Sequence, residues 1–261
     1  MNYKKLINQG AIFFINHSGG KDSQAMYLHL KDLGIPSEQI VIIHAELPGV
    51  DWEGLESHIR ETTSERLITC SANKTFKDMV LHRGMFPSPQ YRQCTSDLKR
   101  DPISKEIRKY CKETGNNLIV NCMGIRSEES TARSKLNPFK LNNRMSKAGR
   151  TVYEWYPIFD WLEGEVFDRI SQEGQKPFWT YARGMSRCSC KFCIMSNYQD
   201  IYTASTIDPE AFQEMTDLEN ETGMTMFFEK AGKLSLAEYA DRGRNQIQEK
   251  GRNFVCPVYE L

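Results

Sequence analysis

No apolar run in these 261 residues approaches the ~20 needed to span a bilayer, so no membrane-spanning helix is expected. Only Leu6 and Ile7 separate the opening Met1-Asn2-Tyr3-Lys4-Lys5 from Asn8 and Gln9, which does not make a secretory hydrophobic region. A cytosolic protein is the expectation. Excess charge is lacking too. Lys and Arg number 34, as do Asp and Glu, so no global field draws the chain toward nucleic acid or membrane. Internal repeats and low-complexity tracts are absent. The Walker-type spacing G-x-x-x-x-G-K-[ST] is absent as well, which excludes that phosphate loop.

A hydrophobic share of 39% and a charged share of 26% are ordinary for a soluble globular chain. The length allows one large domain, or one domain with an appendage. The most informative stretch is Ser18-Gly19-Gly20-Lys21-Asp22-Ser23. It follows the apolar run Ala11 to Ile15 and precedes a helical pattern carrying Met26, Leu30 and Leu33. That order reads as strand, glycine turn, helix. Adjacent glycines let backbone N–H groups close around an anion, because no Cβ blocks the approach. The helix that follows aims its positive end at the same point. Lys21 adds a full charge, and Ser18 and Ser23 add hydroxyls. The stretch therefore reads as a phosphate cradle. His17, beside it, is either a phosphate contact or a packed strand end.

The first half alternates strand-like and helix-like segments. Strands are expected at Ala11–Ile15, Ile40–His44, Arg66–Cys70, Leu118–Cys122 and Val152–Ile158. Helices are expected at Asp22–Leu33, Trp52–Arg66, Thr75–His82, Ser96–Lys112 and Leu162–Gln172. Strands separated by helices imply βαβ units and a parallel sheet with both faces covered. Right-handed crossovers bring the strand C-termini to one edge, where such folds bind ligands. Residues 131–150 differ. Arg133, Lys135, Lys140, Arg144, Lys147 and Arg150 occur there without one Asp or Glu. Without a helical or strand period, the segment reads as a mobile basic loop. It is either a solvated surface loop or a clamp for a polyanion, a nucleotide tail or nucleic acid. Helical patterns return at Asp208–Thr222 and Leu234–Lys250.

Eight cysteines are the second feature. In a reducing cytosol, clustered ones point to metal or redox chemistry rather than disulfides. Cys188, Cys190 and Cys193 share one short segment. Cys94 lies upstream beside Arg92, Lys99 and Arg100, which would favour its thiolate. From spacing alone three sites remain open: structural zinc, an iron–sulfur cluster, or a Cys190–Cys193 redox pair. Cys70, Cys111 and Cys122 read as small core residues.

The hexapeptide resembles the PP-loop of the ATP pyrophosphatase superfamily, which splits ATP between its α and β phosphates. Over residues 10–195 the chain looks like the phosphoadenosine-phosphosulfate (PAPS) reductase family within it. The carriers are Ser18 to Ser23, His44-Ala45-Glu46, Arg92-Gln93-Cys94-Thr95 with Leu98-Lys99 and Pro102, and Gly124-Ile125-Arg126-Ser127-Glu128-Glu129. Tyr156-Pro157-Ile158 with Trp161, and Tyr181, Gly184 and Arg187 with Cys190 and Cys193, complete the set. The resemblance implies that Ser18, Gly19, Gly20, Lys21, Asp22 and Ser23 hold phosphates. His44 and Glu46 would frame the adenosine, and Gly124 and Arg126 would reach phosphate or adenine. Lys21, Asp22 and Arg126 become the catalytic candidates. Mg²⁺ is expected to accompany ATP, within reach of Asp22. Cys94, Cys190 and Cys193 would ligate a [4Fe–4S] cluster, with Cys188 the only close fourth candidate and zinc the alternative.

Two departures matter. PAPS reductases end in a Glu-Cys-Gly-x-His tail, whereas Cys256 here lacks the glycine and histidine. The intact Ser-Gly-Gly-Lys-Asp-Ser is more similar to ATP-splitting members, and the Cys94 motif to members linked to DNA phosphorothioation. The expected fold is α/β, a doubly wound, mostly parallel five-stranded sheet of Rossmann-like PP-loop type with a C-terminal helical appendage. Residues 1–195 would form the nucleotide-binding domain and 196–261 the helical region. The expected activity is ATP-driven activation of an acceptor for sulfur transfer. Reduction of PAPS or a related sulfonucleotide with a thiol partner is the alternative, and a non-catalytic nucleotide-binding subunit is a third reading. Adenine nucleotide is the expected ligand. Nucleic acid, a sulfur-donor protein and a second copy in a homodimer are the partners left open.

Overall fold

A computed structural model describes residues 3–229 and 232–250, and Cys256 lies outside them. Two compact units emerge. Of the described residues, the first comprises 3–45, 54–70 and 102–178, and the second 46–53, 71–101, 179–229 and 232–250.

The first unit carries α1 (Tyr3–Asn8), β1 (Ile12–Asn16), α2 (Lys21–Asp32), β2 (Ile40–Ala45), α3 (Leu55–Thr62) and β3 (Leu67–Cys70). In the second unit lies α4 (Phe76–Arg83). From α5 (Asp101–Thr114) the chain continues in the first unit with β4 (Leu118–Met123), α6 (Thr131–Ser134), β5 (Phe139–Leu141), β6 (Thr151–Trp155) and α7 (Glu163–Gln172). Among the described residues six strands form one sheet in the order β3-β2-β1-β4-β6-β5, all parallel except β5, which runs against β6.

The central strands are apolar nearly throughout because both faces are covered. Alternate residues sort to opposite faces. Phe13, Ile15, Ile40, Ile42, Val120 and Cys122 pack with α2, Ile59 of α3 and Val166 of α7 on one side. Ile12, Phe14, Val41, Ile43, Ile119 and Val152 pack with Ile107 and Cys111 of α5 on the other. The chain steps from β1 outward to β2 and β3, then returns to the opposite flank of β1 with β4. Strand order thus reverses between β1 and β4, and the carboxyl ends of those two strands border the crevice where such sheets take ligands.

The five expected strands are present, and the sheet gains a sixth inside the segment read as a loop. β5 pairs Lys140 with Glu154 across β6, and Phe139 stacks on Tyr153 at 5.0 Å. A strand of three residues is too short to show a period of two, which is why the sequence concealed it. The turn behind it is also built. Asn142 Oδ1 accepts the Met145 N–H at 3.0 Å, Ser146 Oγ accepts the Val152 N–H at 3.0 Å, and Met145 is buried against α5. The expectation of an unstructured loop at 131–150 is therefore corrected. The helix expected from Ser96 is corrected as well: a π-helical turn, Cys94–Arg100, precedes α5.

The second unit adds α8 (Tyr198–Ile207), α9 (Pro209–Thr222), the hairpin β7 (Phe227–Glu229) and β8 (Gly232–Leu234), and α10 (Leu236–Lys250). The buried Glu219 carboxylate accepts N–H groups of Met226 at 2.6 Å and of Leu236 at 2.9 Å, tying the hairpin and the start of α10 to α9. No helix among the described residues is long and apolar enough to cross a membrane.

Gly243 is where α10 crosses α8, and a Cβ there would collide with the Tyr198 carbonyl oxygen. Gly→Ala inside a helix ordinarily stabilises by about 0.5–1 kcal/mol. Here Gly243→Ala is expected to lose about 1–3 kcal/mol, because backbone rather than a flexible side chain must give way. Urea unfolding midpoints of the two proteins decide the sign, and a higher midpoint for the alanine variant would refute the contact.

Candidate functional site

The loop between β1 and α2 is shaped by its own hydrogen bonds. His17 continues the ladder by donating its N–H to the Ile43 carbonyl at 2.9 Å. Gly19 has φ +77°, a conformation that demands glycine, and a Cβ on it would press on the Leu55 side chain. The Ser18 N–H donates to Ser23 Oγ at 3.2 Å, and that hydroxyl donates to the Gly20 carbonyl at 2.8 Å. α2 starts at Lys21 with no side-chain cap on Gly20. An uncapped helix start keeps backbone donors for an anion.

His17 organises the loop from below. Its Nδ1 accepts the Gly19 N–H at 3.1 Å, which leaves the imidazole proton on Nε2. That buried Nε2 has no hydrogen-bond partner. Burial, with His58 and His44 nearby, lowers the His17 pKa to about 3. His44 is buried at the end of β2 and donates from Nδ1 to the His17 carbonyl at 2.8 Å, so it supports the loop. Glu46 is exposed just past β2 and belongs to the second unit.

Three expected residues meet. Asp22 lies 3.1 Å from the Lys21 ammonium through Oδ2 and 2.6 Å from Arg126 Nε through Oδ1. Lys21 also reaches Glu163 at 3.2 Å, and Arg126 bonds to Glu128. The Glu163 N–H donates to that same Glu128 carboxylate at 2.9 Å. Both cations are buried. Burial works against the charge on Arg126, but Asp22 and Glu128 outweigh it and raise its pKa above the usual guanidinium value. Gly124 lets β4 approach this closely, since a Cβ would meet the Asp22 carbonyl oxygen at 2.8 Å. Glu163 escaped sequence reasoning. Its signal is topological: α7 packs beside α2, so their first turns share one end of the sheet.

The thiols gather in the second unit. The half-buried Lys99 places its ammonium 3.7 Å from Cys190 Sγ. Burial pushes the Cys190 thiol up to about 12 against the pull of Lys99, and burial followed by the charge of Cys193 raises Cys94. Lys99 is raised in turn, chiefly by Cys190. Cys94, Cys190 and Cys193 thus share one electrostatic neighbourhood around an ammonium. The Cys188 N–H donates to the Tyr181 hydroxyl at 3.1 Å. Two carboxylates that sequence reasoning missed anchor this segment. Buried Asp200 accepts the Ser186 N–H and hydroxyl, each at 2.7 Å, and Asp208 holds Lys191 at 2.6 Å. Cys111 and Cys122 lie in the two cores of the first unit, and burial pushes Cys70 up to about 11.

Among the described residues no three Cys, His, Asp or Glu side chains converge on a point as one metal ion requires. A four-iron cluster asks for something else, because its thiolates bind different irons and must surround a volume. The donors present suit that in kind. Three thiols lie within electrostatic reach of the Lys99 ammonium, which is able to offset anionic charge. Gln93 Oε1 and Arg187 Nε, next in sequence to Cys94 and Cys188, are buried without partners.

The profile of the phosphoadenosine phosphosulfate reductase domain matches residues 12–196. An uncharacterised 37.8 kDa protein of Escherichia phage 186 is 30% identical over 144 residues, 55% of this chain and 42% of that protein. An uncharacterised protein of Methanocaldococcus jannaschii is 24% identical over 216 residues, 83% of this chain and 49% of that protein. The chain therefore spans less than half the length of these curated relatives. Similar solved structures include Candida glabrata FMN adenylyltransferase with FAD and inorganic pyrophosphate (TM-score 0.44, 17% identity, 69% of this chain and 55% of that one). Another is Candida auris PAPS reductase in a phosphate complex (TM-score 0.44, 11% identity, 68% and 80%).

The neutral His17 makes stability depend on pH. Unfolded, it binds a proton near pH 6.5; folded, it refuses one until about 3. Stability therefore falls as pH drops through that window, by about 1.4 kcal/mol per unit, and is unaffected above it. Between pH 7 and 5 the wild type should lose about 2 kcal/mol more than His17→Asn in urea titrations. Equal losses would sink the assignment of a buried, uncharged imidazole.

Proposed function

Because the chain belongs to the phosphoadenosine phosphosulfate reductase domain family, we propose that it is a PP-loop enzyme that splits ATP to activate an acceptor for sulfur transfer. The observation that carries this reading is the uncapped start of α2 behind Gly19 and Gly20, set where strand order reverses and flanked by Lys21 and Arg126. Loop amides and Lys21 bind the polyphosphate, with Mg²⁺ beside Asp22. Arg126 offsets the charge that grows on the α-phosphate as an acceptor oxygen attacks it. A P–O bond forms to that oxygen, the α–β bridging bond breaks, and pyrophosphate leaves with the electron pair. The acceptor carbon then carries AMP as leaving group. Hydrosulfide from a sulfur donor replaces it: C–S forms, C–O breaks, and AMP leaves with the electron pair. Positioning and charge neutralisation are what the protein contributes.

Cys94, Cys190 and Cys193, with Cys188 as the fourth candidate, would hold the cluster, and Lys99 would balance its negative charge. Bound there, a cluster supplies an iron site able to present sulfide. The family match also favours a second reading, in which two thiols of a partner reduce the sulfonate of PAPS. Sulfite and the nucleotide bisphosphate would leave as a disulfide forms.

Glu163 bears on the first step. Its side chain is 55% exposed, while Asp22 is pinned by Arg126. The phosphates displace Glu163 from Lys21, the cheaper exchange, because a half-exposed ion pair is worth little.

Pyrophosphate release from ATP is the expected result. Sulfite from PAPS would select reduction, and tight ATP binding with neither product would select a nucleotide-binding subunit. Lys21→Ala should weaken ATP binding at least about tenfold, since a charge-assisted contact is worth about 1.5–3 kcal/mol. Glu163→Gln should tighten it about two- to fivefold, a gain that vanishes in the Lys21→Ala background. Titration calorimetry checks all four proteins, and unchanged affinity in Lys21→Ala would remove the cradle. Anaerobic purification should give iron, labile sulfide and absorbance near ~400 nm, which Cys190→Ser loses. Full iron content in that variant would contradict the ligand role.

A further inference from the structure

Segment 131–150 has no place in the nucleotide chemistry, yet the fold builds it. β5 is the outermost strand of the sheet, and the turn that follows is pinned to β6 and to α5 by Asn142, Ser146 and buried Met145. Lys135, Lys140, Arg144 and Lys147 are exposed, and Lys140 pairs with Glu154 at 3.2 Å. The charge extends past the strand. Arg150 stands close enough to Cys111 of α5 to lower the pull of burial on that thiol. The same helix exposes Lys105, Arg108, Lys109 and Lys112 against exposed Asp101 and Glu113, and Glu106 pairs with Lys109 at 3.7 Å, so α5 adds one net positive charge to the six of the segment.

A lysine or two suffices to keep a sheet edge from pairing with another chain. Here the cations run over an edge strand, a turn and a helix of one unit, in a chain of zero net charge. Leu141 is exposed beside them, but the aromatics of the strand pair, Phe139 and Tyr153, are stacked on each other. Protein interfaces rely on aromatic and apolar anchors. A rigid array of lysines and arginines instead matches regularly spaced phosphates.

We propose that this face of the first unit, residues 131–150 with α5, binds the phosphodiester backbone of nucleic acid without reading sequence. It is argued apart from the nucleotide loop and is measured without ATP, so failure of either reading leaves the other standing. The probe is fluorescence anisotropy with a labelled mixed-sequence DNA duplex and, separately, a single-stranded RNA, across a salt series. The tighter arm identifies the source of the backbone.

Wild type should bind with Kd on the order of micromolar at low salt, with a steep negative log–log salt slope. Lys135→Glu/Lys147→Glu should weaken binding at least about tenfold and flatten the slope by about two. Lys4→Glu/Lys176→Glu makes the same change in net charge at exposed positions of the opposite layer and should shift the affinity by less than about threefold. All three proteins should share one circular dichroism spectrum. Equal loss in the two variants overturns the proposal, as does a wild type that binds neither nucleic acid. Saturable binding of polyglutamate or of anionic vesicles, with nucleic acid unbound, overturns it as well. If the test variant fails to fold, the wild-type salt slope still decides: a flat slope refutes backbone contact.

Discussion

Asp22 is the hinge of the first unit's chemistry. One carboxylate touches the ammonium of Lys21, its neighbour, and the guanidinium of Arg126, which arrives 104 positions later in the loop after another strand. That bridge fastens the loop after β1 to the loop after β4. It needs Gly124, since any side chain there would strike the backbone of Asp22. It also needs the reversal of strand order, which makes β1 and β4 neighbours. Sheet topology, a bare glycine and an ion pair are therefore one constraint seen at three scales.

Two buried cations held by carboxylates describe a site at rest. Burying such charges without partners would cost several kcal/mol each, so Asp22, Glu128 and Glu163 stand where anions are required. Under the proposed reading an incoming polyphosphate would not enter an empty positive hole. It would exchange one set of anions for another, with a small net gain for each contact, and selectivity would rest on which carboxylate yields. Exposure separates them: Glu163 faces solvent, whereas Asp22 is fixed from two sides. The second unit again sets a cation against sulfur, with the Lys99 ammonium 3.7 Å from Cys190 Sγ.

Much of this was legible before any coordinates. Near-continuous apolar strands separated by amphipathic helices announce a covered parallel sheet, and Gly19-Gly20 ahead of a helix announces the loop. Scattered cysteines read as small core residues, which holds for buried Cys111 and Cys122, whereas Cys70 is half-buried. What escaped has physical causes. Three residues, Phe139 to Leu141, carry too little alternation to mark a strand. The Glu163 contact depends on two helices lying side by side, which no local pattern states. Asp200 looks like any acid at a helix start; only the fold reveals that it receives the Ser186 N–H and hydroxyl, and so steadies the run toward Cys188. Its burial would otherwise be costly, and two donors offset that cost.

Zero net charge says nothing about placement. Residues 131–150 hold only cations among their charged side chains, a run the sequence itself displays, and residues 208–229 only anions. A field near the surface is set by charges within about a Debye length, roughly 10 Å at moderate salt. At that range the local sum decides, and it is positive over β5, the following turn and α5. A protein whose total charge forbids long-range attraction to a polyanion can still hold one at contact. Such binding would begin weakly at distance and strengthen only once the faces meet, so salt should act on how long the complex lasts more than on how often it forms.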